Sequence, residues 1–202
     1  MAVNRTTVAV TGASGAIYAL RTLRALLMNG DEVHLIVSGF GWMLLREEAG
    51  FEGKQAEFED FLADRYGADI ANGRVNVHQI GNMAAPVASG SVDLRGMVVV
   101  PCSMKYLANI AHGASGNLIE RAADVTLKER RPLILVPRET PMNLIHLRNM
   151  TTAAEAGAAI LPAMPAFYQK PESFDDLADF IAGRILNLLG IEHDLFPPWT
   201  GT

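Results

Sequence analysis

One cysteine stands in the whole chain, Cys102, and a single thiol cannot build a disulfide scaffold. No apolar run approaches the roughly 20 residues that a membrane-spanning helix needs, so no span is expected. Charge is scarce as well: Asp, Glu, Lys and Arg make up 19% of the residues, where a soluble domain carries roughly 25%. The 17 Lys and Arg stand against 22 Asp and Glu, and the resulting net charge of −5 argues against nucleic acid as the partner. The five histidines, His34, His78, His112, His146 and His193, show no ligand spacing, so no metal site is expected. What the chain has instead is apolar side chains, half of its 202 residues, which excludes disorder and can fill one large core. A surface so poor in charge is expected to be partly buried against other subunits. Met1 to Val10 has neither the charged nor the long apolar region of a signal peptide, so the expected location is the cytoplasm.

Short β-branched runs alternate with amphipathic segments, the pattern of an open parallel sheet covered by helices on both faces. Strands are expected at Thr6 to Val10, Glu32 to Val37, Val75 to Ile80, Gly96 to Val100, Leu133 to Val136 and Ala158 to Leu161. The proline-containing Pro101-Cys102-Ser103 is expected to break the fourth of these, and Pro137 to stop the fifth. Helices are expected from Ile17 to the stop signal Asn29-Gly30, at Phe40 to Ala49, Gln55 to Arg65, Met104 to Ala111, Asn117 to Arg130 and Asn143 to Ala156. A last helix starts at the capping box Ser173 and Asp176 and ends near Gly190. Ala84 to Ser91 and Gly113 to Gly116 read as loops. Nothing resembles a linker, so residues 1–202 form one domain. From about residue 190 to 202 a tail with Pro197-Pro198-Trp199 is expected to pack on a neighbouring subunit.

Thr11-Gly12-Ala13-Ser14-Gly15-Ala16, between the first strand and the first helix, is a place for an anion, because helix N-terminal amides point outward and glycine lets a phosphate approach. It is neither the dinucleotide fingerprint nor a Walker loop. The end of the second strand carries Ser38, where a dinucleotide site wants an acid, so a mononucleotide such as FMN is favoured over NAD. From Arg121 to Arg148 six basic residues face three acidic ones, a +3 segment in an otherwise acidic chain. Arg130-Arg131 reads as a solvated helix face. Arg138-Glu139 follows a buried strand, where open α/β sheets place ligands, and suits an anionic substrate whose leaving group takes a proton. Cys102 reads as a buried structural thiol. The acids at Asp175, Asp176 and Asp179 read as first-turn helix acids, not a magnesium motif.

The chain resembles the UbiX family of flavin prenyltransferases along nearly its whole length. The likeness rests on the Thr11–Ala16 turn, Pro101-Cys102-Ser103-Met104-Lys105, the run from Glu120 to Arg131, Val136 to Pro141, His146 to Met150, and Pro165 to Tyr168. It implies a Rossmann-like or flavodoxin-like subunit, a homo-oligomer that is usually a dodecamer, and active sites at subunit junctions. It also implies metal-independent transfer of a dimethylallyl group from dimethylallyl phosphate to N5 and C6 of reduced FMN. The product would serve a UbiD-type decarboxylase, in ubiquinone synthesis or aromatic acid metabolism. Matched motif by motif, Gly12, Ala13, Ser14, Ser38, Ser103, Met104 and Arg138 would hold FMN. Lys128, Glu139, Tyr168 and Arg184 would hold the prenyl phosphate, and Ser14 and Glu48 join Glu139, Lys128 and Tyr168 in catalysis. The family more often carries threonine where this chain has Tyr106. A monophosphate is a poor leaving group, so cations from Lys128 and Arg184, a hydroxyl from Tyr168 and an acid at Glu139 suit the cleavage. The alternatives on the same fold are an FMN-dependent cysteine decarboxylase and a non-catalytic FMN-binding accessory protein.

Overall fold

The computed structural model describes residues 4–197 and Gly201. Strands and helices follow in near alternation: β1 (Arg5–Val10), α1 (Ala16–Met28), β2 (Glu32–Val37), α2 (Gly39–Ala49), α3 (Phe58–Tyr66), β3 (Arg74–His78), β4 (Gly96–Cys102), α4 (Met104–Ala111), α5 (Leu118–Lys128), β5 (Leu133–Pro137), α6 (Leu144–Glu155), β6 (Ala159–Ile160) and α7 (Phe174–Leu188). Every strand pair is parallel, in the order β3-β2-β1-β4-β5-β6. This is the Rossmann order, and it reverses between β1 and β4, which leaves a crevice at the carboxyl ends of those strands.

The sheet is covered on both faces because side chains alternate along each strand. Val8 and Val10 of β1 join Val33, Leu35 and Val37 of β2 under α1, α2, α3 and α7. Ala9, Ile36, Met97 and Val99 point the other way, under α4, α5 and α6. Trp42, Phe51 and Phe58 pack as an aromatic cluster on the first face, with ring centroids 5.1–5.6 Å apart.

Two proline expectations are corrected. β4 runs through Pro101 to Cys102, and a register shift against β5 between Val99 and Cys102 absorbs the missing amide donor. Pro137 closes β5 from within, as its last residue. The loop from Ala84 to Ser91 contains a short 3₁₀ turn at Pro86–Ala88. Tyr106, on α4, is buried, and burial raises its phenol pKa above the usual value. As far as Pro197, the tail lies against its own α7, where Phe180 and Phe196 rings stand 5.0 Å apart. Trp199 lies outside the described residues. Among the described residues, no helix is long and apolar enough to cross a membrane.

The end of the sheet away from the crevice is tied by one buried carboxylate. Asp31, fully buried, accepts Thr6 Oγ1 at 2.7 Å and Asn29 Nδ2 at 2.9 Å. Arg95 Nη1 reaches both of its oxygens, at 3.0 and 2.7 Å. Removing one partner of such a pair strands the other charge out of water. Asp31→Ala is therefore expected to lower unfolding free energy by about 3–5 kcal/mol, measured by urea denaturation.

Candidate active site

Four strand ends meet at the crevice: the turn after β1, Ser38 after β2, Ser103 after β4 and Arg138-Glu139 after β5. Thr11 joins two of them. Its hydroxyl donates to Pro101 O at 2.8 Å and accepts Ser103 N at 2.8 Å, while its own amide donates to Pro101 O at 3.3 Å. Gly12, Ala13, Ser14, Ser38, Ser103, Met104 and Arg138 thus all lie at the carboxyl end of the sheet, after β1, β2, β4 and β5.

The helix ends within it are not equivalent. The α1 amides of Gly15 and Ala16 both donate to Glu48 Oε2, each at 2.8 Å. The glycine-rich turn was expected to offer these amides to an anion; instead a carboxylate from α2 already fills that end of the helix dipole. Gly15 sits at φ +118°, which admits glycine and few other residues. Burial would raise the Glu48 carboxyl, but the amides of Ala16 and Gly15, the Ser14 hydroxyl and the Arg138 charge together hold it below the usual carboxylate range.

The openings left for an anion lie at α2 and α4. Ser38 caps α2 by accepting Gly41 N at 3.0 Å, and nothing lies within 4 Å of the position a side chain at Gly39 would occupy. α4 begins at Ser103 with no side-chain cap. Arg138 reaches across from β5, donating from Nε to Ser14 O at 2.8 Å, while its two terminal nitrogens make no hydrogen bond among the described residues. A cation with free donors and an open helix end fit a phosphorylated flavin. Tyr18, which the motifs did not single out, stands beneath the turn; burial raises its phenol pKa and the Arg138 charge opposes this.

Glu139 uses Oε1 to accept Thr140 N at 3.0 Å, and Oε2 makes no hydrogen bond among the described residues. Lys128 does not join this group. It ends α5, on the side of the sheet where β5 begins, and pairs with Glu129 beside Gly90. Arg121, one heptad earlier on α5, donates to Ala88 O at 3.3 Å, so both cations flank the segment 86–91. Arg131 overturns the expectation of a solvated face: Nη2 donates to Gly90 O at 3.0 Å, and Nη1 is buried with no partner in the described structure. Tyr168 is exposed and packs edge-on against Phe180, with centroids 6.2 Å apart, while exposed Arg184 makes no hydrogen bond or ion pair among the described residues.

Other expectations resolve structurally. Cys102 is fully buried, and burial pushes its thiol up to about 12. Asp176 belongs to the capping box of α7, and Asp175 and Asp179 pair with Arg21. His34 and His78, 44 positions apart, meet across β2 and β3 at 2.9 Å. Among the described residues no three His, Cys, Asp or Glu gather as metal ligands.

A family model described as Flavoprotein matches residues 2–186. The flavin prenyltransferase UbiX of Halalkalibacterium halodurans is 50% identical over 193 residues, 96% of this chain and 92% of that protein. The crystal structure of AnUbiX (PadA1) in complex with FMN and dimethylallyl pyrophosphate is similar over the full length of both chains, with a TM-score of 0.87 and 44% identity. A dodecameric FMN-dependent UbiX-like decarboxylase from Escherichia coli O157:H7 matches with a TM-score of 0.85 and 38% identity, over 98% of this chain and all of that one.

Because Glu48 caps α1, Glu48→Ala is expected to cost about 1 kcal/mol at pH 7 by urea denaturation. A carboxyl depressed on folding stabilises above the unfolded carboxylate pKa. The difference between the two proteins should therefore shrink as pH falls through the depressed value of Glu48.

Proposed function

The chain belongs to the flavoprotein family and, within it, to the UbiX flavin prenyltransferases, and from that premise we propose that it joins a dimethylallyl group from dimethylallyl phosphate to N5 and C6 of reduced FMN. It is an enzyme acting on FMN. The observation that carries the mechanism is Arg138-Glu139 at the crevice, a free-ended cation beside a carboxyl group with one uncommitted oxygen.

Gly12, Ala13, Ser14, Ser38, Ser103, Met104 and Arg138 would hold FMN, with Glu48 fixing the turn that carries Ser14. When bound, reduced FMN supplies the electron-rich ring that receives the prenyl carbon. The carbon–oxygen bond of the prenyl phosphate breaks, and the departing oxygen takes negative charge. Lys128 and Arg184 would neutralise it, Tyr168 would donate a hydrogen bond, and Glu139 would deliver a proton.

These residues cannot all belong to one subunit's site. Lys128 precedes β5 and Arg138 follows it, so the length of that strand, roughly 15 Å, separates their positions. Lys128 would therefore serve the crevice of a neighbouring copy. Three features support a homo-oligomer, for which we propose twelve copies: the dodecameric relative, the scarcity of charge, and exposed apolar side chains such as Phe40 (70%), Ile145 (65%) and Phe167 (71%). The prenylated flavin would pass to a UbiD-type decarboxylase in the cytoplasm, in ubiquinone or aromatic acid metabolism.

Anaerobic incubation with reduced FMN and dimethylallyl phosphate, and separately the diphosphate, should yield a flavin heavier by the prenyl group on mass analysis. An unchanged mass would remove the reading in favour of a decarboxylase or an accessory protein. Glu139→Gln is expected to slow transfer by roughly 10²–10⁴-fold while FMN still binds. Lys128→Ala and Arg138→Ala subunits, each inactive alone, should regain activity when assembled together. No recovery would refute the shared junction.

A further inference from the structure

Phe196, in the tail, lies against α7, where Gly183 leaves a notch on the helix surface. A side-chain carbon at Gly183 would collide with the Phe196 ring and come within 2.7 Å of the His193 ring. The two rings in that notch also pack on each other, with centroids 4.9 Å apart. From there a row of aromatic contacts runs outward: Phe196 on Phe180 at 5.0 Å, then Phe180 against Tyr168 at 6.2 Å and 87°. A second link runs parallel to it, since Gln169 Nε2 donates to Pro197 O at 3.2 Å. The residue beside Tyr168 and the ring beneath it are therefore both held by the same seven-residue segment, 191–197.

We propose that this tail, seated in the Gly183 notch, is the positioning element that holds Tyr168 in place to bind the prenyl phosphate. The inference rests on the assignment of Tyr168 to that phosphate. The segment 162–171 around Tyr168 has no regular structure of its own beyond turns, so its geometry comes from what it packs on. An ordered hydroxyl meets its ligand without a further entropy loss, which is how a distant packing contact reaches binding. Phe180 and Phe196 are positioning residues in this scheme, and Gly183 is the site that permits them.

Gly183→Ala closes the notch with a residue that favours helix more than glycine does, so α7 is retained. The expected result in the full chain has three parts. The KM for the prenyl donor rises roughly three- to tenfold, the factor one neutral hydrogen bond is worth. FMN affinity is unchanged. Amide hydrogen exchange accelerates together at 167–170 and 191–197. Phe196→Ala, which empties the notch from the other side, should give the same pattern. Exchange still slow at 191–197 in Gly183→Ala would overturn the notch. A released tail with an unaltered donor KM would overturn the coupling, provided that Tyr168→Phe itself raises that KM. If Tyr168→Phe leaves the donor KM unchanged, the assignment of Tyr168 fails, and this inference fails with it.

Discussion

The active-site crevice depends on the side chain of Thr11. A parallel sheet whose strand order reverses between β1 and β4 must open there, and nothing in the sheet hydrogen bonding sets how wide. Thr11 sets it. One hydroxyl, donating to Pro101 O and accepting from Ser103 N, locks the glycine turn to the start of α4, with both bonds at 2.8 Å. The same carbonyl also accepts the Thr11 amide at 3.3 Å, so Pro101 O holds both the backbone and the side chain of the residue that follows β1.

With the turn held, charge is distributed by helix ends. Glu48 satisfies the amides at the start of α1, which frees the cation Arg138 from that carboxylate except as a distant charge. The openings toward an anion then lie at α2 and α4, facing the same space as the guanidinium. The backbone around Ser14 is fixed by the bond from Gly15 N to Glu48 and the bond from Arg138 Nε to Ser14 O, and the Ser14 hydroxyl lies against the same Glu48 carboxylate. At the opposite end of the sheet, Asp31 anchors the strands whose other ends carry this chemistry.

Much of this could be read from the residues in order. The β-branched runs, the stop at Asn29-Gly30 and the box at Ser173 and Asp176 gave the elements, because each is a local signal of backbone preference or capping. The ordered motifs gave the family and, through it, the residues around the crevice. Proline misled at Pro101, since a local rule about missing donors cannot foresee a register shift. Arg131 misled as well: adjacent arginines at a helix end look solvated until the segment 86–91 folds over one of them. Arg121 and Lys128, seven apart on α5, share one face of that helix, and only the packing of segment 86–91 shows what that face meets.

Fold class and family were legible in the residues alone, because they depend on local propensity and on motifs whose residues are close in the chain. Which of the expected site residues stand near one another emerged only from the packing of the elements. It placed Lys128 and Arg138 at opposite ends of β5, gave Glu48 the helix end expected for an anion, and brought Tyr168 and Phe196 into one aromatic row 28 positions apart. Distances across a sheet and contacts between remote segments follow from how elements pack, and no spacing along the chain encodes them.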